Sequence, residues 1–237
     1  FGTDLLFYDD ELVIGGEICE DLFVPDKPST HLALKGANVI VNLSASDEVI
    51  GKHDYRKQLV LGQSGSCYLQ YLYVSSGEEE SSTDLVFSGN RLVGDNGSLV
   101  LDEIYPKPGS VKKVILDYAK SIHNRVHQTS FGEEASSCRY IPCSLSRLGG
   151  EKNIIVSVLR DTLKQENYLV NPFPFIPGDQ EREERAKTIL SIQAHGLATR
   201  VKKTGLKNLI VGVSGGLDST LALLVRKKTK KLVPDVN

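Results

Sequence analysis

The chain has 237 residues, of which 40% are hydrophobic and 24% charged, with a net charge of −2. That length is ample for a buried core, and so small a charge gives no electrostatic case for nucleic acid or an anionic membrane as partner. No apolar run reaches the roughly 20 residues that span a bilayer, and no basic segment leads into an apolar one near the start, so a cytoplasmic soluble protein is expected.

The first expected elements alternate between strand and helix. Leu5-Leu6-Phe7 reads as a strand already under way, and residues 12–19 as a buried strand ending at Cys19. Ser29 or Thr30 can cap a short helix through Lys35, with Gly36 ending it. Ala37 to Leu43 is a second buried strand, closed by Ser44-Ala45-Ser46. Tyr55 to Cys67 has helical spacing, and Tyr68 to Val74 is a third strand. This order implies an α/β sheet. Residues 78–83 form a polar loop, and residues 85–104 an antiparallel meander around Asn96-Gly97. Lys113 to Val126 reads as a helix, and residues 129–152 as loop. Asn171 to Gly178, with three prolines, is a stiff linker. A charged helix from Asp179 or Gln180 to about Lys203 carries an apolar stripe (Ile189, Ile192, Leu197, Val201), so it is expected to dock, and Gly205 stops it. Asn208 to Val213 reads as a strand, and Asp218 to Arg226 as a helix.

The four cysteines (Cys19, Cys67, Cys138, Cys143) follow no disulfide framework. Cys138 and Cys143 are spaced to begin a metal site, but no second pair follows. His123 and His127 share a helix face without an acidic third ligand, so a solvated face is expected there.

Gly15-Gly16-Glu17-Ile18-Cys19-Glu20-Asp21 places a thiol where a strand turns into a loop. A side chain projecting from such a turn suits a nucleophile, with the following N–H groups facing a developing oxyanion. A thiolate attacks amides well, and its thioester hydrolyses readily. A small buried cysteine at a strand end is the plainer reading of those residues alone. The stretch resembles the nucleophile motif of the nitrilase (carbon–nitrogen hydrolase) superfamily, in the form found in glutamine-dependent NAD synthetases. Gly36 to Ser46 and Gly77 through Phe87 continue the resemblance, which covers nearly the whole chain. It implies that Cys19 is the nucleophile and that the N–H of Glu20 binds the oxyanion. Ser46 would hold the α-amino or carboxylate end of glutamine, and Lys52 would stand where the family commonly has arginine. Lysine keeps the charge but loses the bidentate fork. The family's triad adds a glutamate and a lysine upstream of the cysteine. Only eighteen residues precede Cys19, none of them lysine, and Glu11 and Glu17 are too close along the strand to serve as the distant base. Loss of a general base costs about 100- to 10,000-fold in rate, so the chain itself is expected to be inactive as a glutaminase.

The sharpest motif is Gly212-Val213-Ser214-Gly215-Gly216-Leu217-Asp218-Ser219, between an expected strand and a helix. Glycines let backbone approach a phosphate, and a helix start presents unpaired N–H groups. It is neither the Walker pattern nor the dinucleotide fingerprint. It resembles the pyrophosphate loop of ATP pyrophosphatases, which adenylate a substrate. ATP binding by these eight residues is implied, with magnesium, and Asp218 can assist the metal or cap the helix. The basic run Arg226 to Lys231 suits a helix C-terminus.

Together the two motifs imply ammonia transfer: glutamine opened at Cys19, and ammonia passed to ATP-activated deamido-NAD to give NAD. The expected fold is the C-terminal part of a nitrilase-like α-β-β-α sandwich, followed by the first βα unit of a Rossmann-like pyrophosphate-loop domain. Residues 1–165 would be the hydrolase domain, 166–205 linker and docking helix, and 206–237 the start of the ATP-binding domain. The chain opens in mid-strand without Met and stops after one βα unit, so it is expected to be a fragment of an enzyme that forms homo-oligomers. Another pyrophosphate-loop amidotransferase and a non-catalytic truncated product are the alternatives.

Overall fold

The structure is a computed structural model and describes residues 2, 5–136, 141–144, 155–156 and 179–236. The chain divides into two units. The first gathers residues up to Ser46, Asp54–Ser76 and the described residues from Ser88 to Val156. The second gathers Asp47–His53, Gly77–Phe87 and the described residues from Asp179 onward.

In the first unit, strands β1 (Leu5–Asp9), β2 (Leu12–Ile18), β3 (Val39–Ser44), β4 (Gln70–Ser75), β5 (Arg91–Asp95), β6 (Ser98–Glu103) and β8 (Ile141–Ser144) form one sheet. Their spatial order is β6-β5-β4-β3-β2-β1-β8. β2, β3 and β4 run parallel, joined by crossover helices α1 (Pro28–Leu34) and α2 (Lys52–Ser66). β5 and β6 add antiparallel strands through Asn96-Gly97, where both residues have positive φ (47° and 84°), the backbone of a tight hairpin turn. The core lies on the helix-covered face, where Leu6, Leu32, Ile40, Val60, Tyr71 and Leu92 are buried.

Several elements differ from the sequence expectation. Helix α1 is capped at Lys27 with Pro28 in its first turn, not at Ser29 or Thr30. Both hydroxyls instead accept from Gln63 Nε2, at 3.0 and 2.9 Å. Residues 85–90 are not strand, so the meander is the single β5–β6 hairpin. The helix expected from Lys113 is α3 (Tyr118–Val126), capped where Asp117 Oδ1 accepts the Lys120 N–H at 3.1 Å. β-Branched Val114–Ile115 (β7) pairs instead with Ile155–Val156 (β9). The expected loop 129–152 contains helix α4 (Thr129–Ser136) and β8, which pairs parallel with β1. The expected linker at 171–178 lies outside the described residues.

In the second unit, helix α5 (Asp179–Thr204) ends where Gly205 takes φ 66°, and helix α6 spans Leu217–Leu232. α5 packs against α6: Ala194, Ala198 and Val201 are buried, Ile189, Ile192 and Leu197 are half-buried, and Thr229 Oγ1 on α6 donates to the Ala194 carbonyl at 3.3 Å. The expected strand at Asn208–Val213 is not formed. Among the described residues no strand runs beside it, and an extended segment without a ladder partner makes no sheet.

Candidate functional site

Cys19 sits where β2 stops. Its φ of 50° is a left-handed value that costs a residue with a Cβ about 1–2 kcal/mol. A single 3-10 turn, Cys19–Leu22, follows it. The turn is fastened at both ends. Asp21 Oδ2 accepts the Ile18 N–H at 2.8 Å, the Glu20 carbonyl accepts the Phe23 N–H at 2.8 Å, and Leu22 is fully buried. Cys19 is a free, half-buried thiol. Glu20 is exposed, and its N–H lies in a first turn, where helical N–H groups have no acceptor within the helix. A sharp turn, a free thiol and following amides are the parts that a nucleophile with an adjacent oxyanion site would require.

Glu17 is 3% exposed, and both its oxygens are engaged. Oε2 accepts the Ser29 N–H at 2.9 Å, and Oε1 accepts the Tyr71 hydroxyl. Burial, and then the adjacent Glu17 carboxylate, push the Tyr71 hydroxyl pKa up. Both oxygens of Glu17 are thus occupied by protein donors.

Ile18 and Leu43 are register partners, so Cys19 and the segment after Ser44 leave the sheet close to one another in register. Ser46 is buried. Its N–H donates to Ser75 Oγ at 3.2 Å, and its hydroxyl and carbonyl accept from Arg56 Nη1 at 3.3 and 3.4 Å. No hydrogen bond joins Ser46 to Cys19 among the described residues. Arg56 is fully buried and was missed by sequence reasoning, because an arginine on a helix ordinarily reads as solvated. Its spacing, one turn after Lys52, was the available signal. Lys52, in the second unit, pairs with the Asp47 carboxylate.

The glycine-rich turn lies in the second unit. Gly212 to Asp218 are exposed, Gly215 takes φ 88°, and Gly216 is the N-cap of α6 without any side-chain cap. Asp218 is therefore not the helix cap. The first residues of α6 are exposed beside Ser214 and Ser219, whose hydroxyls are 3.3 Å apart. Asp218 lines a cavity of about 450 Å³ together with Leu197, Leu209, Val211, Leu221 and Val225. Backbone donors, two hydroxyls and a helix N-terminus suit a phosphate group.

No group of three or more His, Cys, Asp or Glu side chains poised for a metal exists among the described residues. The His123 and His127 rings stack at 4.3 Å on an exposed helix face without a third ligand, and Cys138 lies outside the described residues. No helix among the described residues is long and apolar enough to cross a membrane.

No family model matches the chain. The chain is 36% identical over 242 aligned residues to the glutamine-dependent NAD(+) synthetase of Mycobacterium tuberculosis, covering 95% of this chain and 33% of that protein. It is 27% identical to the enzyme of the same name from Thermotoga maritima, covering 90% of this chain and 33% of the relative. Among solved structures, the glutamine-dependent NAD+ synthetase of Acinetobacter baumannii in complex with ADP aligns with a TM-score of 0.62 at 18% identity, over 94% of this chain and 32% of that one. The chain spans about a third of the length of the curated relatives it matches. These likenesses make the chain a homologue of the glutamine-dependent NAD(+) synthetases, with an α/β fold shared with one of them.

Proposed function

We propose that this chain, a homologue of one stretch of the glutamine-dependent NAD(+) synthetases, carries the nucleophile region of a glutamine-hydrolysing site and the pyrophosphate loop of an ATP-dependent amide-forming site. The observation that carries the proposal is a free thiol at φ 50° on a fastened strand-end turn, in a chain that also holds an uncapped Ser-Gly-Gly helix start. On this reading the Cys19 thiolate attacks the carboxamide carbon of glutamine, and the Glu20 N–H receives the developing oxyanion. Ammonia leaves, and water hydrolyses the γ-glutamyl thioester. Ser46 anchors the amino-acid end of glutamine, its turn held by Arg56 and Ser75. Lys52, bound to Asp47, supports that end by charge.

At the second site the backbone from Gly212 to Gly216, with Leu217 and the Ser219 hydroxyl, cradles the phosphates of ATP. The carboxylate of deamido-NAD attacks the α-phosphorus and releases pyrophosphate, and ammonia then displaces AMP to give NAD. Magnesium would neutralise phosphate charge there, and Asp218, which lines the adjacent cavity, would be its carboxylate ligand. We assign residues 1–165 to the hydrolase domain, 166–205 to a linker and docking helix, and 206–237 to the start of the ATP-binding domain. A homo-oligomer in the cytoplasm completes the proposal.

Calorimetric titration of the chain with ATP and magnesium tests the second site. Binding is expected, and a Gly215→Val substitution should abolish it, since valine is strained at φ 88° and covers the cradle. Labelling with an electrophilic glutamine analogue tests the first. Modification should map to Cys19 and vanish in Cys19→Ala. Labelling that persists in Cys19→Ala overturns the assignment.

A further inference from the structure

Strand alternation makes a specific demand at the end of β2. Gly15 and Glu17 face the helices: a Cβ on Gly15 would meet Leu32 and Ile40, and Glu17 is 3% exposed, whereas Ile18 between Glu17 and Cys19 is 67% exposed. With a period of two, an extended residue 19 would share the inward face of Gly15 and Glu17. The left-handed backbone of Cys19 breaks this alternation, and its thiol is half-buried where Glu17 is almost wholly enclosed. A residue with a Cβ does not hold that conformation unaided, so neighbouring structure must impose it.

Glu17 is the side chain placed to do so. Its Oε2 takes the Ser29 N–H in the first turn of α1, a donor that Lys27, the N-cap, leaves unserved. Its Oε1 takes the Tyr71 hydroxyl on β4. The position of Ser29 is fixed in turn by Gln63 on α2, which donates to Ser29 Oγ. The carboxylate thus ties the last inward position of β2 to two helices and a strand, two residues before the nucleophile. We propose that Glu17 is a positioning residue for Cys19: it stops β2 from extending by one more inward step and so keeps the thiol presented. This rests on reading Cys19 as the nucleophile, but it concerns presentation of the thiol rather than the chemistry performed by it.

The test uses the full chain. The rate of Cys19 alkylation by iodoacetamide is followed by peptide mass spectrometry, together with the backbone chemical shifts of Cys19 and hydrogen exchange at the Ser29 amide. Glu17→Gln keeps an acceptor for Ser29 and a partner for Tyr71, so it should alter the Cys19 rate less than twofold. Glu17→Met removes both contacts at similar length. It should slow Cys19 alkylation at least tenfold, move the Cys19 shifts out of the left-handed range and speed exchange at Ser29, with circular dichroism unchanged. Tyr71→Phe removes one contact with little change in volume and should slow Cys19 by about two- to threefold; it decides the matter if the methionine variant does not fold. An unchanged Cys19 rate and unchanged shifts in Glu17→Met, or in Tyr71→Phe should it have to decide, overturn the proposal. So does an equal loss in Glu17→Gln. A Cys19 that is well presented yet never labelled by the glutamine analogue would overturn the functional reading alone.

Discussion

Gly15 offers a direct measure of how tightly α1 is seated on the strand that leads into Cys19. A Cβ built there lies 2.9 Å from Ile40 Cδ1 and 3.1 Å from both Leu32 Cβ and Leu32 Cδ1. The Ile40 methyl is a side-chain end and can swing aside. Leu32 Cβ is fixed to the backbone of α1, and both residues are at most 1% exposed, so the helix itself has to move. Forcing one methyl into a packed core costs about 1–3 kcal/mol. Replacing glycine in a strand returns about 0.5–1 kcal/mol of backbone entropy. Gly15→Ala is therefore expected to destabilise the first unit by about 1–2 kcal/mol. With a urea m-value of about 2 kcal/mol per molar, the midpoint falls by about 0.5–1 M. Cys67 reports on this core directly, since it is 5% exposed and belongs to the same cluster. Its alkylation across a urea series, read by mass spectrometry, gives the midpoint. A midpoint that stays put or rises at constant m would mean that α1 and β2 are not in the close contact described, and the argument from packing would fail.

Burial pushes the Cys67 thiol pKa up, so the folded state favours the protonated form. The corresponding stability is complete below the ordinary thiol value of about 8.5 and is lost as pH rises through the folded pKa. Stability measured against Cys67→Ala should accordingly decline on the alkaline side and hold steady near neutrality. Glu78 titrates in the opposite sense. The His195 ring nitrogen, 3.0 Å from Oε1, holds its carboxyl below the ordinary value, so its contribution is present above about pH 4.3 and is lost as pH falls through the lowered pKa. In His195→Gln, carbon-detected NMR should find the Glu78 titration moved up toward the ordinary value. Arg56→Ala removes a fully buried guanidinium and its bonds to Ser46, and should cost about 2–4 kcal/mol by denaturant melt. Arg56→Ala should also weaken labelling of Cys19 by the glutamine analogue, which checks that the Ser46 turn serves that site.

What could be read from the sequence follows from how each feature is encoded. The parallel strands were visible because buried strands read as apolar runs, and the β5–β6 hairpin because Asn-Gly accepts two positive φ values. Helix α4 and strand β8 were not, because Thr129–Ser136 contains Gly132 and few apolar residues, and β8 contains Pro142. Asn208–Val213 shows the opposite failure: the apolar run is there, but a strand is a property of pairs, and no described strand supplies the other half. Arg56 and Glu17 were hidden for a further reason. A charged residue declares its burial only through its partners, and those partners lie far along the chain, as Tyr71 does from Glu17.

Both candidate sites depend on one residue in the left-handed backbone region. At Gly215 the sequence announces this, because glycine adopts φ 88° without strain. At Cys19 it does not, because a thiol cannot be carried by glycine, and chemistry and backbone freedom exclude each other in one residue. The left-handed turn at Cys19 must then be held from outside, by Asp21 on the Ile18 amide, by buried Leu22 and by the Glu17 carboxylate. A candidate site built on glycine is therefore legible as a motif, whereas one built on a strained cysteine is legible only with the residues that hold it.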